Sequence, residues 1–401
     1  MSQDRPFRFG IIGIGTGASN LLDGFRRSSH VKVAAVADVR KDAADAFGRE
    51  FDCEVFYDAE DLCKSPNVDA VWVSTPNHLH AEHTIMALEH KKHVTVSKPM
   101  AVTLEECEAM CQAAERNGVS LLCGHTQAMF APIQKLAQLV QSGEFGKLAM
   151  IHSWNYTDWV YRPRMAYELD PETGGGVVFR QSPHHIDICR LIAGGKVKSV
   201  RAMTIDMDPN RPTTGAFTAY LEFEGNVPCT IIYSGYGHFT SSELTFGGGY
   251  RAQARVTGAT SREAEEAMKD AGRYGGAARD ERQAEAAARD GAGGPSREET
   301  HGAFGLTLAS CEKADIRQSP HGLWVYEEGG KREITFPVEY ARGEQEFEEL
   351  YQAAVMGKKA VHDGRWGMAT HEVTLAVYES AKTGREIQMK HQVGLPTSPH
   401  T

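Results

Sequence analysis

Two hydrophobic periods alternate along the first 125 residues. Phe9–Gly13, Val31–Ala37, Val68–Ser74, His93–Ser97 and Val119–Cys123 are short, largely continuous apolar runs, the pattern of strands buried on both faces. Between them, Ala18–Arg27, Lys41–Phe51, His78–Glu89 and Leu104–Asn117 mix charge with apolar residues at helical spacing. Repeated strand–helix units predict an α/β domain over residues 1–128, a doubly wound parallel sheet with helices on both faces. Right-handed crossovers put the ligand crevice of such a sheet at the carboxyl ends of its strands.

From residue 129 the pattern changes. One helix, Ile133–Ser142, precedes longer strands at Leu148–Tyr156, Val197–Met207, Phe217–Phe223 and Cys229–Tyr233, interrupted by a helix at His185–Ile192. Glu344–Met356 and Met368–Lys382 read as closing helices. Strands in succession joined by short turns predict a C-terminal α+β domain, residues 129–401, built on an open, largely antiparallel sheet. The stretch at about 258–302 stands apart. It is dominated by Ala, Glu, Arg, Asp and Gly, and buries too little apolar area to offset its ordering entropy. It reads as a solvated insertion or mobile loop, with a lid over the active site as the functional alternative.

Composition narrows the function classes. Hydrophobic residues make up 41% and charged residues 24% of 401, ordinary for globular protein and unlike a disordered or fibrous chain. The net charge of −10 comes without a basic block, which argues against a nucleic-acid partner and leaves room for a small anionic one. No apolar run approaches the ~18 residues of a membrane span, and the first residues carry no secretory pattern. The eight cysteines include no Cys-x-x-Cys pair, so they read as reduced, mostly buried thiols in a cytoplasmic protein. Cys107 and Cys111 share a helical spacing, but further ligands at metal spacing are missing, so no metal is expected.

The first strand runs into Gly13-Ile14-Gly15-Thr16-Gly17-Ala18, a G-x-G-x-x-A turn. Gly13 permits the tight turn, Gly15 lets backbone approach a pyrophosphate, and Ala18 allows close helix–strand packing. The second strand ends at Asp38, whose carboxylate can accept both ribose hydroxyls and repels a 2′-phosphate. NAD is therefore expected over NADP, although Arg40 beside it could accommodate a phosphate. Ser74-Thr75-Pro76-Asn77-His78 ends another strand at the same edge, where polar groups can line the nicotinamide half, and His80 follows. Lys98, in Val96-Ser97-Lys98-Pro99, is a candidate proton acceptor if its environment depresses its pKa. Gly174-Gly175-Gly176 precedes His184, His185 and Asp187; the glycines would let the chain pass close to a ligand, His184 and Asp187 share a helical face, and His185 and Asp187 are expected at the substrate.

These elements together resemble the Gfo/Idh/MocA oxidoreductase family, over nearly the whole chain outside the insertion. The tail Ala381-Lys382-Thr383-Gly384-Arg385 is also similar to the family's closing helix and turn. The resemblance implies a Rossmann domain, an open-sheet domain that mediates dimers or tetramers, and hydride transfer between NAD(P) and a hydroxyl-bearing carbon. Lys98 and His184 occupy the family's catalytic lysine and histidine positions.

Three departures matter. Ser97 stands where the family has Glu before Lys-Pro, Arg180 stands where sugar-oxidising members have Asp, and His125-Thr126-Gln127-Ala128-Met129 offers no arginine where the family often has Arg-Phe. The first two make the region three charges more positive than the sugar-type pattern. With Arg162 and Arg164, Arg180 suggests an anionic substrate, because guanidinium forks match carboxylates. Tyr161-Arg162-Pro163-Arg164 followed by Gly-Gly-Gly-Val-Val-Phe-x-Gln is similar to the branch of the family that oxidises phthalate cis-4,5-dihydrodiol. The expectation is a homodimer or homotetramer acting on a small anionic, aromatic-derived substrate, with no nucleic-acid or membrane partner. The alternatives are a sugar or cyclitol dehydrogenase using the same Lys98–His184 pair, and a regulator that senses NAD(P) without chemistry.

Overall fold

The computed structural model describes residues 5–15, 18, 22–161, 166–245, 300–337 and 344–396. Thr16, Gly17, Arg162, Arg164 and all but the last three residues of the 258–302 stretch lie outside them. The chain forms two compact units, one drawn from residues 1–126, 341–371 and 396–401, the other from 127–340 and 372–395.

The first unit is built on a parallel sheet. Among the described residues its strands are β1 (Phe7–Ile12), β2 (Val31–Ala37), β3 (Glu54–Phe56), β4 (Ala70–Val73), β5 (His93–Ser97) and β6 (Leu121–Gly124), in the order β3-β2-β1-β4-β5-β6. The order reverses between β1 and β4, the switch point at which dinucleotides bind in doubly wound sheets. The crossovers carry α1 (Leu22–Arg27), α2 (Lys41–Phe51), α3 (Ala59–Lys64), α4 (His80–Glu89) and α5 (Leu104–Asn117). Helix α5 starts in a capping box between Thr103 and Glu106, and α3 starts at Asp58, whose side chain accepts from the amides of Glu60 and Asp61.

Both faces of this sheet are core, which is why its strands read as continuous apolar runs. Phe7, Phe9, Ile11, Ala70 and Trp72 pack on one side; Ile12, Val71, Val73, Val94 and Val96 pack on the other. The first of these cores is completed from far along the chain. Helix α9 (Glu344–Ala354) buries Phe347 and Leu350 there, with Phe347 stacked on Phe25 at 4.6 Å. Beyond it, Leu122 of β6 bridges Asp363, and the Cys123 amide donates to the His362 carbonyl at 2.9 Å. Glu349 gathers that return segment, accepting from the amides of Val361 and His362 and pairing with His362 Nδ1 at 2.9 Å. A single boundary near residue 129 is therefore corrected. The apolar face of α9 belongs to the first unit because Phe9 and Phe25 need cover there.

The second unit is built on a mixed sheet. Among the described residues its strands are β7 (Leu148–Tyr156), β8 (Val197–Ile205), β9 (Ala216–Phe223), β10 (Val227–Ser234), β11 (Leu306–Cys311), β12 (Ala314–Ser319), β13 (Gly322–Glu327), β14 (Gly330–Thr335) and β15 (Ile387–Gln388). Their order is β14-β13-β12-β11-β7-β10-β9-β8-β15, and only the β7–β10 pair among the described ladders of this sheet is parallel. One face is covered by α6 (Ala131–Ser142) and α8 (Gly176–Ala193), which pack on each other. The other face carries Met150, Trp154, Met203, Ile205 and Tyr220, all exposed. Strand β7 shows the alternation: Ile151, Ser153 and Asn155 are buried, Met150 and Trp154 are not.

Helix α10 (Gly364–Thr383) closes the fold. Helix α8 starts at Gly176, nine residues before the helix predicted at His185, and the hairpins β11–β14 have no counterpart among the predicted strands. All eight cysteines are free thiols, six of them buried, as expected. No helix among the described residues is long and apolar enough to cross a membrane.

Candidate active site

Each unit holds its own set of polar groups. In the first unit they gather after the carboxyl ends of β1, β2, β4 and β5. Gly13 leaves β1 with φ +86° and donates to the Ala37 carbonyl at 2.8 Å. That positive φ is what the glycine is there to supply. A side chain on Gly15 would lie 2.7 Å from the Ser74 carbonyl, so this position tolerates only hydrogen. Ala18 is fully buried and its amide donates to Ser74 Oγ at 3.0 Å. The described residues of this turn, Gly13, Gly15 and Ala18, are thus held against the end of β4.

Asp38 sits at the end of β2 with 6% of its side chain exposed. It accepts from the Ile14 amide at 2.8 Å and the Arg40 amide at 2.9 Å. The Arg40 guanidinium grips it with Nε at 2.8 Å and a terminal nitrogen at 2.7 Å. Burial opposes the charge, but the arginine and the two amides outweigh it and hold the carboxyl below its ordinary range. Arg40 is thus tied to the carboxylate, and its terminal nitrogen also reaches the Ile14 carbonyl at 3.1 Å. An acceptor carboxylate at Asp38 suits the hydroxyls of a dinucleotide's adenosine ribose, and a glycine turn after β1 suits its pyrophosphate.

Ser74 and Asn77 are nearly buried at the end of β4, and Pro76 caps a short 3-10 turn from Asn77 to Leu79. His80 is 1% exposed. Its Nδ1 lies 2.8 Å from the Pro99 carbonyl and its Nε2 2.9 Å from the Thr75 carbonyl. A neutral ring has one N–H, so it donates to one carbonyl, and only the imidazolium donates to both. His80 therefore braces the loop bearing Lys98 against the loop bearing Thr75 and does not itself reach outward. Lys98 is half-buried directly after β5, and the preceding Ser97 Oγ accepts the Trp72 indole N–H at 3.1 Å.

In the second unit the groups lie along α8. Arg180 and His184 are one turn apart, and Asp187 follows at the next, so all three share a stripe of the helix. His184 is 5% exposed and packs its ring 4.8 Å from Phe304. His185, expected at the substrate, is instead wholly buried: Ser153 Oγ meets its Nδ1 at 2.6 Å, and Phe304 and Tyr233 flank the ring. That burial pushes its pKa down to about 3, which fits a core histidine kept neutral. Asp187 is also fully buried.

Arg180 pairs with Glu168 at 3.1 Å; the glutamate is 1% exposed and the arginine 21%. The sequence pattern pointed to the arginine and not to this carboxylate, so part of the extra positive charge is answered inside the protein. The Gly-Gly-Gly run also serves the protein itself. A side chain on Gly175 would sit 2.6 Å from the Asp170 amide and 2.7 Å from the Glu168 carbonyl carbon. Among the described residues no cluster of His, Cys, Asp and Glu could hold a metal ion.

Residues 7–125 match a family described as oxidoreductases with an NAD-binding Rossmann fold, and residues 133–261 match the Gfo/Idh/MocA C-terminal domain. The chain is 34% identical over 387 residues to a 1-carboxy-3-chloro-3,4-dihydroxycyclohexa-1,5-diene dehydrogenase of Comamonas testosteroni, covering 94% of this chain and 95% of that one. A solved structure from Bordetella bronchiseptica RB50 aligns with a TM-score of 0.81 and 34% identity, covering 96% of this chain and all of the other. An oxidoreductase of Agrobacterium radiobacter, solved with NAD+, L-tartaric acid and magnesium, shares the fold at a TM-score of 0.69 and 18% identity, covering 95% and 98%. The β3-β2-β1-β4-β5-β6 order, the glycine turn and the full-length relatives agree: the chain is an oxidoreductase of the Gfo/Idh/MocA family, with its NAD-binding Rossmann fold.

Proposed function

We propose that the protein oxidises the cis-dihydrodiol of an aromatic carboxylate to the corresponding catechol, with NAD as hydride acceptor. Phthalate cis-4,5-dihydrodiol, giving 4,5-dihydroxyphthalate, is the substrate of choice. The observation that carries this reading is the full-length likeness to a dehydrogenase whose substrate is a carboxylated dihydroxycyclohexadiene. Arg180 on the stripe of His184 supports it, since a guanidinium beside the proposed acid–base residue suits a ring carboxylate.

NAD, when bound, supplies the hydride acceptor. Lys98, with His184, takes the proton of the carbinol hydroxyl as hydride leaves its carbon. The ketone so formed tautomerises to an aromatic ring, which makes the oxidation effectively one-way. Asp38 accepts the ribose hydroxyls, and its negative charge favours NAD over the 2′-phosphorylated cofactor. Arg162 and Arg164 join Arg180 in this reading as carboxylate ligands. The exposed apolar face of the mixed sheet supports self-association into a homodimer or homotetramer.

The deciding experiment monitors NADH formation at 340 nm with phthalate cis-4,5-dihydrodiol, a monocarboxylated cis-dihydrodiol, myo-inositol and glucose, each repeated with NADP. Turnover of the carboxylated diols alone is expected. Turnover of the neutral polyols instead would overturn the substrate class. In the same assay Lys98→Ala should lower kcat at least ~100-fold, the usual scale of a lost acid–base group.

A further inference from the structure

We propose that Glu168 is a positioning residue for the substrate carboxylate, acting through Arg180. The inference rests on the reading above, in which Arg180 meets an anionic substrate.

Glu168 lies on the one-turn helix α7 (Ala166–Leu169) and is 1% exposed, whereas Arg180 is 21% exposed. A buried carboxylate is tolerated when a cation and hydrogen bonds compensate it, and Arg180 supplies a cation at 3.1 Å. The pair is asymmetric: its acid is inside and its base reaches outward. A guanidinium offers donors on more than one edge of a rigid plane. A fixed carboxylate against one nitrogen therefore fixes the direction in which the rest of the plane points.

The local backbone is arranged for this contact. Gly175 donates to the Asp170 carbonyl at 2.8 Å, and Thr173 Oγ1 donates to the Tyr167 carbonyl at 2.9 Å. The Gly175 position leaves no room for a side chain against Glu168 and Asp170. The glycine run thereby draws α7 onto the first turn of α8, one turn before Arg180. Asp170 caps the intervening turn by accepting from the Glu172 amide at 3.0 Å. Glycine, carboxylate and arginine form one unit whose outward product is an oriented guanidinium.

The partner also sets selectivity. An arginine without a counter-charge attracts any anion; one neutralised by Glu168 rewards an anion that matches its fork. Removing the charge of Glu168 should therefore weaken the shaped ligand and strengthen the unshaped one.

Steady-state kinetics of Glu168→Gln, with inorganic sulfate as competing anion, tests this. The expected result is a KM for the carboxylated cis-dihydrodiol raised about tenfold, kcat within about twofold of the parent, and sulfate inhibition at least about threefold tighter. An unchanged KM overturns the proposal, as does a fall in kcat and Tm with sulfate inhibition unaltered. Should Glu168→Gln fail to fold, Glu168→Asp, which keeps the charge and withdraws it by one methylene, must show the raised KM at parental kcat; a parental KM there overturns it equally. Arg180→Met separates the two readings. A parental KM in Arg180→Met brings down the carboxylate role of Arg180 itself, whereas a raised KM in Arg180→Met with a parental KM in Glu168→Gln brings down Glu168 alone.

Discussion

The two sheets bury their side chains in opposite styles. The parallel sheet has a core on each face, and β4 is buried at every position. The mixed sheet has one core face and one face of exposed Met, Trp, Ile and Tyr. In the first, a strand position can hardly be changed without touching a core. In the second, every other position answers to solvent or to another molecule. The same residue types therefore fill a core in one sheet and stand exposed on a face of the other.

The sharpest contrast is in stability. Trp72→Ala removes a 1% exposed indole from the parallel sheet and leaves the Ser97 hydroxyl without its donor. A loss of about 3–5 kcal/mol is expected in urea unfolding. Met203→Ala, on the exposed face of β8, should stay within ~0.5 kcal/mol at concentrations where the protein is monomeric. Equal losses at the two sites would break the comparison.

Acid should act on both units through buried neutral histidines. His371, in the first unit, is pushed down to about 4 by burial, against the opposing pull of the Val102 carbonyl; His185, in the second, is pushed to about 3. Between pH 6.5 and those values the unfolded chain takes up a proton that the folded chain refuses. Stability therefore falls as pH drops through that window, by about 1.4 kcal/mol per pH unit for each histidine. His371→Gln should flatten the slope between pH 6.5 and about 4, and His185→Gln should do so down to about 3. A parental slope in both variants, read from urea midpoints across pH, would count against this. The smallest effect on stability and the most specific on assembly belongs to Trp154→Glu at the exposed centre of β7. Under the proposed self-association, sedimentation should shift toward the monomer with Tm nearly unchanged; an unaltered sedimentation profile would remove this face from it.

The contrast also explains which elements were legible in the sequence. Continuous runs such as Ala70-Val71-Trp72-Val73 announce a doubly buried strand, and Gly13 announces a tight turn leading from strand to helix. The alternation of β7 is equally plain. The hairpins β11–β14 give a weaker signal because polar and charged residues break up their apolar positions, as in Ala314–Ser319 and Gly330–Thr335. The return of α9 to the first unit left no local signal either, since Phe347 and Leu350 would suit any apolar surface. At the site, the family resemblance points to Arg180 and helical spacing ties His184 to Asp187, but Glu168 carries no such signal, because its meaning comes from its contact with Arg180. His185 faces the core instead of the substrate because adjacent histidines on a helix point about 100° apart, and its ring is directed at Ser153.

The long-range closure of the first unit has a consequence for synthesis. Phe9, Phe25 and the free edge of β6 emerge from the ribosome early, but Phe347 and the His362–Asp363 segment that cover them come more than two hundred residues later. At the ~5–20 residues per second of translation, that interval is roughly 10–50 s. During it an aromatic surface and an open strand edge are presented to solvent or to a chaperone, and the nucleotide-binding unit becomes complete only once residues 341–371 have been made.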